Sequence, residues 1–431
     1  MDVLPERGCY DENIQGELLV KKHLAILFAC LVVVMTGFGL TLPVLPFYIE
    51  RLALTGGATS TGASVHVGVL TGIFALMQFF FAPLWGKWSD RVGRRPLFLI
   101  GLGGYAISMV LFGVGTNLAM FYTARILGGI LSSAVLPAAY AYVADVSSEN
   151  ERVRGMAWLG GAISFGIVIG PALGALLTQQ DWNWVVRLSP FVVDDFSMPF
   201  FAASLLAIVT LLVAMRWLPE SLLPSSAQPP ERIEQMHGAF KSKSPCWFKR
   251  DSFGGLLALS FLAQFALALF EGTFALHAQR VMNFGPAQMG GVFMVCGLVM
   301  AAAQASFVGW LISRTGEKPL LPIGFGLMGV ALVLLMTTQT MALILVYVGF
   351  FALGVAMLNP SLAALVTKRA ADRWGAALGL QNAANSLGQA SGPVLGGLLF
   401  AWHIHAPYLL AALPLIGTAI FIGRVTLLKQ S

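Results

Sequence analysis

Glu271 and Arg125 are the two charged side chains that fall well inside long apolar stretches of this sequence. Ionisable groups are costly to place in such surroundings, and those that persist commonly carry protons, ions or polar ligands. A carboxylate withdrawn from water takes up and releases its proton according to the charges and solvent around it, which makes Glu271 the candidate proton carrier. Arg125 is the candidate opposing charge, favouring the ionised carboxylate when the two draw together. Gln264 stands seven residues before Glu271, on the same helical face. With Phe274, Asn359 and the helical stripe Asn382, Asn385 and Gln389, it forms the set of candidate contacts for a small-molecule substrate. Buried amides also serve as hydrogen bonds between helices, and that alternative stands beside the substrate reading. Other chemistries find no support. Cys9, Cys30, Cys246 and Cys296 are scattered, so neither a disulfide framework nor a metal site is expected. No HExxH, GxSxG or GxxxxGK[ST] pattern occurs, which argues against an enzyme, a cofactor or ATP as energy source.

These residues must be positioned by membrane-spanning helices. The chain is 57% hydrophobic and 11% charged, against about 25% charged in a soluble domain. Its apolar residues fall in blocks of about 20, the length that crosses the hydrocarbon core as a helix. Twelve spans are expected, near 22–47, 66–85, 96–115, 118–144, 155–178, 198–217, 252–279, 287–311, 319–338, 341–367, 375–400 and 408–428. Asp2, Glu6, Asp11, Glu12 and Glu17 precede the first block, so a cleavable signal peptide is not expected. With both termini placed inside, only Arg51, Arg187 and Arg280 of the 26 Lys and Arg residues fall in outer connections, and only Arg125 lies well inside a span, with Lys22, Arg216 and Arg424 at the inner ends of theirs. That asymmetry satisfies the positive-inside rule. It also accounts for the net charge of +6 by a basic face beside anionic lipid, without nucleic acid.

The chain repeats. Gly86, Arg91, Gly93 and Pro96 after the second span match Gly309, Arg314, Gly316 and Pro319 after the eighth at a constant offset of 223. Pro137 matches Pro360 at the same offset. Gly166, Gly170, Pro171 and Gly174 match Gly388, Gly392, Pro393 and Gly396 at 222. The expected architecture is therefore an all-α membrane protein of two pseudo-symmetric six-helix bundles, 1–217 and 252–431, joined by a Pro-rich cytoplasmic linker, 218–251. Parallel repeats of this kind suggest alternating access, the halves rocking about a site at their interface.

The motifs resemble the major facilitator superfamily, in particular its twelve-helix drug:proton antiporters. Gly86-x3-Asp90-Arg91-x-Gly93-Arg94-Arg95 is similar to the family's loop between helices 2 and 3. Gly37 with Pro43 and Pro46 is similar to its helix-1 pattern, and Arg125-x2-Gly128-Gly129 to its helix-4 pattern. Gly166-x3-Gly170-Pro171-x2-Gly174 resembles the helix-5 signature of exporters. The resemblance implies a conformational latch: Asp90 approaching the inner start of helix 11, and Arg94 pairing with Asp145. Ser313 and Glu317 replace Asp90 and Arg94 in the second half, so the latch is expected on one side only. The helix-5 glycines are expected to slide against the other half. The implied activity is proton-coupled export of small apolar or amphipathic compounds by a monomer in the cell (inner or plasma) membrane. The alternative is proton-coupled uptake of a sugar or other nutrient, though Leu222 follows Pro219-Glu220-Ser221 where a sugar porter carries Pro-Arg. The acids that tetracycline pumps carry in helices 1 and 3 are missing, Glu50 lying at the end of helix 1. The segment 179–197 is a long outer connection and a candidate lid.

Overall fold

The computed structural model describes residues 7–146, 149–178, 186–188, 191–193, 196–221, 251–370 and 374–428. Helix 1 is Arg7–Thr55, helix 2 Ser60–Val92 and helix 3 Arg94–Gly113. Helix 4 is in two pieces, Leu118–Ser132 and Val135–Val146, followed by helix 5, Glu149–Leu177, and helix 6, Met198–Trp217. Helix 7 is Asp251–Met282. Helix 8 runs Pro286–Ala303, passes through a π-helical turn at Gln304–Val308, and ends as Gly309–Thr315. Helix 9 is Leu320–Leu335, helix 10 Met341–Arg369, helix 11 Trp374–Trp402 and helix 12 Ala406–Leu428. Ten of these spans are long and apolar enough to cross a membrane; helix 9 is a shorter apolar helix. Helix 11 is long but carries the polar run Gln381, Asn382, Asn385 and Gln389. Most of the expected linker, residues 222–250, lies outside the described residues.

Two expectations change. Residues 86–92 are not a loop: helix 2 continues to Val92, and only Gly93, at φ 110°, turns the chain into helix 3. A side chain at Gly93 would also meet the Glu220 carboxylate, so both space and backbone require glycine there. Gly316, at φ 77°, plays the same part at the end of helix 8. The outer connection is not all irregular either. It contains a two-stranded antiparallel hairpin, β1 (Val186–Leu188) with β2 (Phe191–Val193), pairing Val186 with Val193 and Leu188 with Phe191. The rest of 179–195 lies outside the described residues.

Local chemistry sets other boundaries. Thr59 Oγ1 accepts from Gly62 N at 3.1 Å and Asn117 Oδ1 from Met120 N at 3.0 Å, capping helices 2 and 4. Pro137 has no N–H for the Ser133 carbonyl, and helix 4 breaks at Ser133–Ala134. Pro360, its repeat partner, sits in an unbroken helix 10.

Each half has its own apolar core. The first gathers Leu31, Tyr48, Phe98, Phe112, Phe121 and Phe200; the second gathers Phe270, Phe274, Phe325, Phe351 and Tyr408. Apolar side chains gain little by leaving lipid, so helices associate by close backbone packing. The helix-5 glycines supply that packing against helix 1: a Cβ at Gly166 would lie 2.7 Å from the Val32 carbonyl, one at Gly170 2.7 Å from Gly39 Cα, and one at Gly174 2.9 Å from the Leu40 carbonyl. Helix 11 repeats this on helix 7, with Gly388 against Phe261 and Gly392 against Phe265. The stripe therefore binds helix 1 of its own half and does not slide on the other half as expected. The face next to it, through Pro171, Val168 and Ala175, meets Gly290 and Gly297 of helix 8.

Gly170→Ala overpacks this contact and is expected to cost about 1–3 kcal/mol. Gly86, with open space where its Cβ would be, should accept alanine within about 0.5 kcal/mol. Thermal unfolding of both variants in detergent checks the contrast; equal losses contradict it.

Candidate functional site

The glycine-mediated contacts between the halves all lie toward one end. Gly68 and Gly72 of helix 2 meet Pro393, Gly397 and Ala390 of helix 11, and Gly290 and Gly297 of helix 8 meet helix 5. Toward the other end, which carries the helix 2–3 and 8–9 turns and is called here the basic end, Gly86, Gly160, Gly161, Gly309 and Gly379 have open space beside them. Among the described residues, close glycine contacts join the halves at the far end and none does so at the basic end, which is called here the parted end.

A charged seal sits over the closed end. Arg280, near the end of helix 7, reaches into the first half, where its Nη2 donates to Ser64 Oγ at 2.6 Å and to the Ser60 carbonyl at 2.9 Å. Glu50 Oε1 lies 3.6 Å away, and the guanidinium rests on Phe400 of helix 11 at 4.8 Å. Glu50 is buried at 6% exposure. In the sequence Glu50 reads as a helix-end acid and Arg280 as an outer-loop cation, and nothing local pairs them. The signal available was that each is a rare charge at a charge-poor end. Beside the seal, at the same end, Phe47, Thr178, Phe196, Gln279 and residues 283–288 border a cavity of about 610 Å³.

Between the two ends lies the interface that faces both halves. On helix 1, Met35, Phe38 and Leu42 are half-buried along one face whose neighbours are buried. On helix 7, Gln264 and Glu271 are the half-buried positions in the otherwise buried run 263–278. Glu271 makes no ion pair or hydrogen bond among the described residues. Asn359 and Asn382 are exposed, and Asn385 and Gln389 half-buried. Phe274 does not join them. It is fully buried in the second core, stacked on Phe270 at 5.0 Å and against His277. His277 is sealed beneath helix 12 by His405 and Tyr408, not open to the outer mouth. Arg125 is buried between the rings of Phe74 and Phe112. Counted from the helix ends, Arg125 lies about 10 Å and Glu271 about 16 Å from the closed end.

The latch residues at the basic end form one cluster inside the first half. Arg94 donates from Nη1 to Asp90 Oδ1 at 2.6 Å and to Ser89 Oγ at 3.0 Å, and from Nε to Asp145 Oδ2 at 2.9 Å. The Glu220 carboxylate accepts from the backbone N–H groups of Arg94 and Arg95 at 2.8 and 3.2 Å, capping helix 3. Pro219-Glu220-Ser221 thus has a structural duty that its sequence did not reveal. Asp90 stays half-exposed, and the helix-11 side chains before Ala377 lie outside the described residues. Ser313 stands at the repeat position of Asp90, but the supporting ion pair is not confined to the first half. Lys368 Nζ donates to Glu317 Oε1 at 2.6 Å. Glu317 and Lys368 are the repeat positions of Arg94 and Asp145, so the second half keeps the pair with its charges exchanged.

Comparison with known proteins agrees with this architecture. The family model of the Major Facilitator Superfamily matches residues 27–314 and 301–430. The chain belongs to that family of membrane transporters. Multidrug resistance protein 2 of Bacillus subtilis (strain 168) is 30% identical over 399 residues, covering 91% of this chain and 92% of its own. Quinolone resistance protein NorA of Staphylococcus aureus (strain MRSA252) is 24% identical, covering 93% and 96%. A D-xylose-proton symporter has the same fold, with a TM-score of 0.74 at 18% identity over 93% of this chain and 96% of its own.

The two basic-end pairs differ in strength. Arg94 is buried and holds three acceptors, so Arg94→Ala should cost about 3 kcal/mol in unfolding free energy. Lys368 is 65% exposed, and Lys368→Ala should cost no more than about 0.5 kcal/mol. The hydrogen bond from Lys368 holds the Glu317 carboxyl below its ordinary range. Because the folded-state value is depressed, this small contribution is present above the unfolded value of about 4.3 and vanishes as pH falls through the folded one. Melting of Lys368→Ala should therefore converge on the parent protein below about pH 4.

The seal makes a separate prediction. In an Ala390→Cys background, a membrane-impermeant maleimide added from the Arg280 side should react at least about tenfold faster once Arg280→Gln removes the bridge, a shift of about 1.4 kcal/mol. An unchanged rate contradicts a sealing role.

Proposed function

We propose that this chain is a proton-coupled exporter of small amphipathic compounds. It acts as a monomer in the plasma membrane, with both termini and the basic end in the cytoplasm. The halves, 1–217 and 252–431 joined through 218–251, rock about the interface that contains Glu271. The observation that carries the reading is Glu271 itself: a half-buried carboxyl without a partner among the described residues, on the helix-7 face that also presents Gln264. The multidrug and quinolone resistance relatives support the substrate class and direction.

In this reading the parted basic end admits substrate from the cytoplasm, while Arg280 and the glycine contacts hold the outer end shut. Substrate meets Met35, Phe38 and Leu42 on one side and Gln264, Asn359, Asn385 and Gln389 on the other. Glu271 exchanges its proton as the halves rock, and Arg125 favours its ionised form as they draw together. Closing the basic end brings Asp90 to the start of helix 11. Gly86, Arg91, Gly93, Arg94 and Asp145 hold Asp90 in place for that contact. The exposed Asn382 stands near the same mouth.

Reconstitution into liposomes with an imposed pH gradient tests the coupling. Glu271→Gln should abolish gradient-driven accumulation of ethidium while leaving downhill exchange, and Glu271→Asp should retain part of it. Uphill accumulation by Glu271→Gln at the parent rate would rule Glu271 out as carrier.

A further inference from the structure

Arg125 and Tyr105 are two buried donor residues without an acceptor among the described residues. Arg125 is 6% exposed and Tyr105 4%. Among the described residues, neither Arg125 Nε nor Tyr105 Oη has a hydrogen-bond partner. The guanidinium forms no ion pair there either; its neighbours are the rings of Phe74 at 5.2 Å and Phe112 at 5.3 Å. Ring faces attract the cation but accept nothing from its five N–H groups, which point outward in the guanidinium plane. A buried guanidinium whose Nε finds no acceptor among the described residues is unfavourable, so the site suits an acceptor brought from outside the first half. Glu50, at the end of helix 1, is engaged with Arg280, while Asp90 and Asp145 are held by Arg94 at the basic end.

The surrounding residues give the site a shape. Helices 3 and 4 bring Tyr105 and Arg125 to the same region: Ser108 Oγ, one turn from Tyr105, donates to the carbonyl of Ala124, next to Arg125, at 2.8 Å. The Tyr105 hydroxyl is directed at Gly37 of helix 1, where a Cβ would collide with it. Gly128, one turn along helix 4 from Arg125, leaves room for Ser108 and Phe74. Phe74 is half-buried and covers one face of the guanidinium. Its ring stands 6.2 Å from Phe38, which belongs to the accessible stripe of helix 1. Arg125 is thus one aromatic side chain behind that stripe.

We propose that Arg125 and Tyr105 form an anion subsite that takes the carboxylate of an amphipathic substrate, the substrate's apolar body lying along Phe38 and Phe74. A planar carboxylate matches the guanidinium fork with two parallel hydrogen bonds, and the tyrosine hydroxyl adds a third donor. The inference rests on the export reading and deepens it: Arg125 serves the substrate anion in the loaded protein and Glu271 in the empty one.

The test is equilibrium binding, which does not depend on proton coupling. A rhodamine bearing a free carboxylate and its methyl ester are titrated by fluorescence anisotropy into the purified full-length protein at pH 7.5. The readout is the ratio of the two Kd values. Arg125→Gln should move that ratio against the acid by at least about tenfold, with Arg125→Lys in between, since lysine keeps the charge but loses the fork. Tyr105→Phe deletes a single hydroxyl and should move it by about threefold, which keeps the test alive if the arginine variants do not fold. A ratio unchanged within twofold in Tyr105→Phe and in every folded arginine variant overturns the subsite, as does failure of the acid dye to bind the parent protein. Flux of the ester dye in liposomes is scored separately. Ester export with an unchanged ratio fails the subsite alone, and no export of either dye fails the export reading beneath it.

Discussion

Close backbone approach through glycine is the constraint on which the rest of this structure depends. Within each half, Gly166, Gly170 and Gly174 bring helix 5 onto helix 1, and Gly388, Gly392 and Gly396 bring helix 11 onto helix 7. In lipid, such contacts replace the hydrophobic drive that holds soluble helices together. They make each half a stiff body. The neighbouring faces of the same helices, through Pro171 and Pro393, meet the other half. One helix therefore binds its own bundle with one side and the partner bundle with the next, so movement between halves leaves the packing inside them intact.

Charge is laid over this frame unevenly. At the basic end each half carries its own ion pair, Arg94 with Asp145 and Glu317 with Lys368. Neither pair crosses between the halves, so both persist while that end is parted. At the closed end, Arg280 crosses from the second half to Glu50, Ser60 and Ser64 of the first. It has no counterpart in the repeat, where its position corresponds to Gly57. The scaffold is symmetric and the seal is not. A transporter needs states that differ in energy by little, and a single crossing bridge of moderate strength suits that need better than a buried network.

Much of this was legible in the sequence because the governing features are local or periodic. Span length, the excess of Lys and Arg at one end and the glycine–proline repeat gave twelve helices in two halves. What escaped was tertiary. Spacing placed Gly170 on a smooth stripe but could not say which helix it would meet, and it meets helix 1. Phe274 shares a helix with Glu271, yet three residues rotate it into the core. Glu317 looked like a lost arginine until Lys368, 51 residues on, was seen to have exchanged charge with it. Glu50 and Arg280 are separated by most of the chain, and no local pattern joins them.

The central claim is that the halves rock as rigid bodies, one end closing as the other opens. Paired spin labels at Arg91 and Ser313 report the basic end, and labels at Thr55 and Gln339 the opposite end. Their distance distributions in lipid nanodiscs, compared between the parent protein and Arg280→Gln, test the claim most directly. Rocking predicts that loss of the seal lengthens the Thr55–Gln339 distance and shortens the Arg91–Ser313 distance together. A change at one end alone, or both distances moving in the same direction, would contradict it.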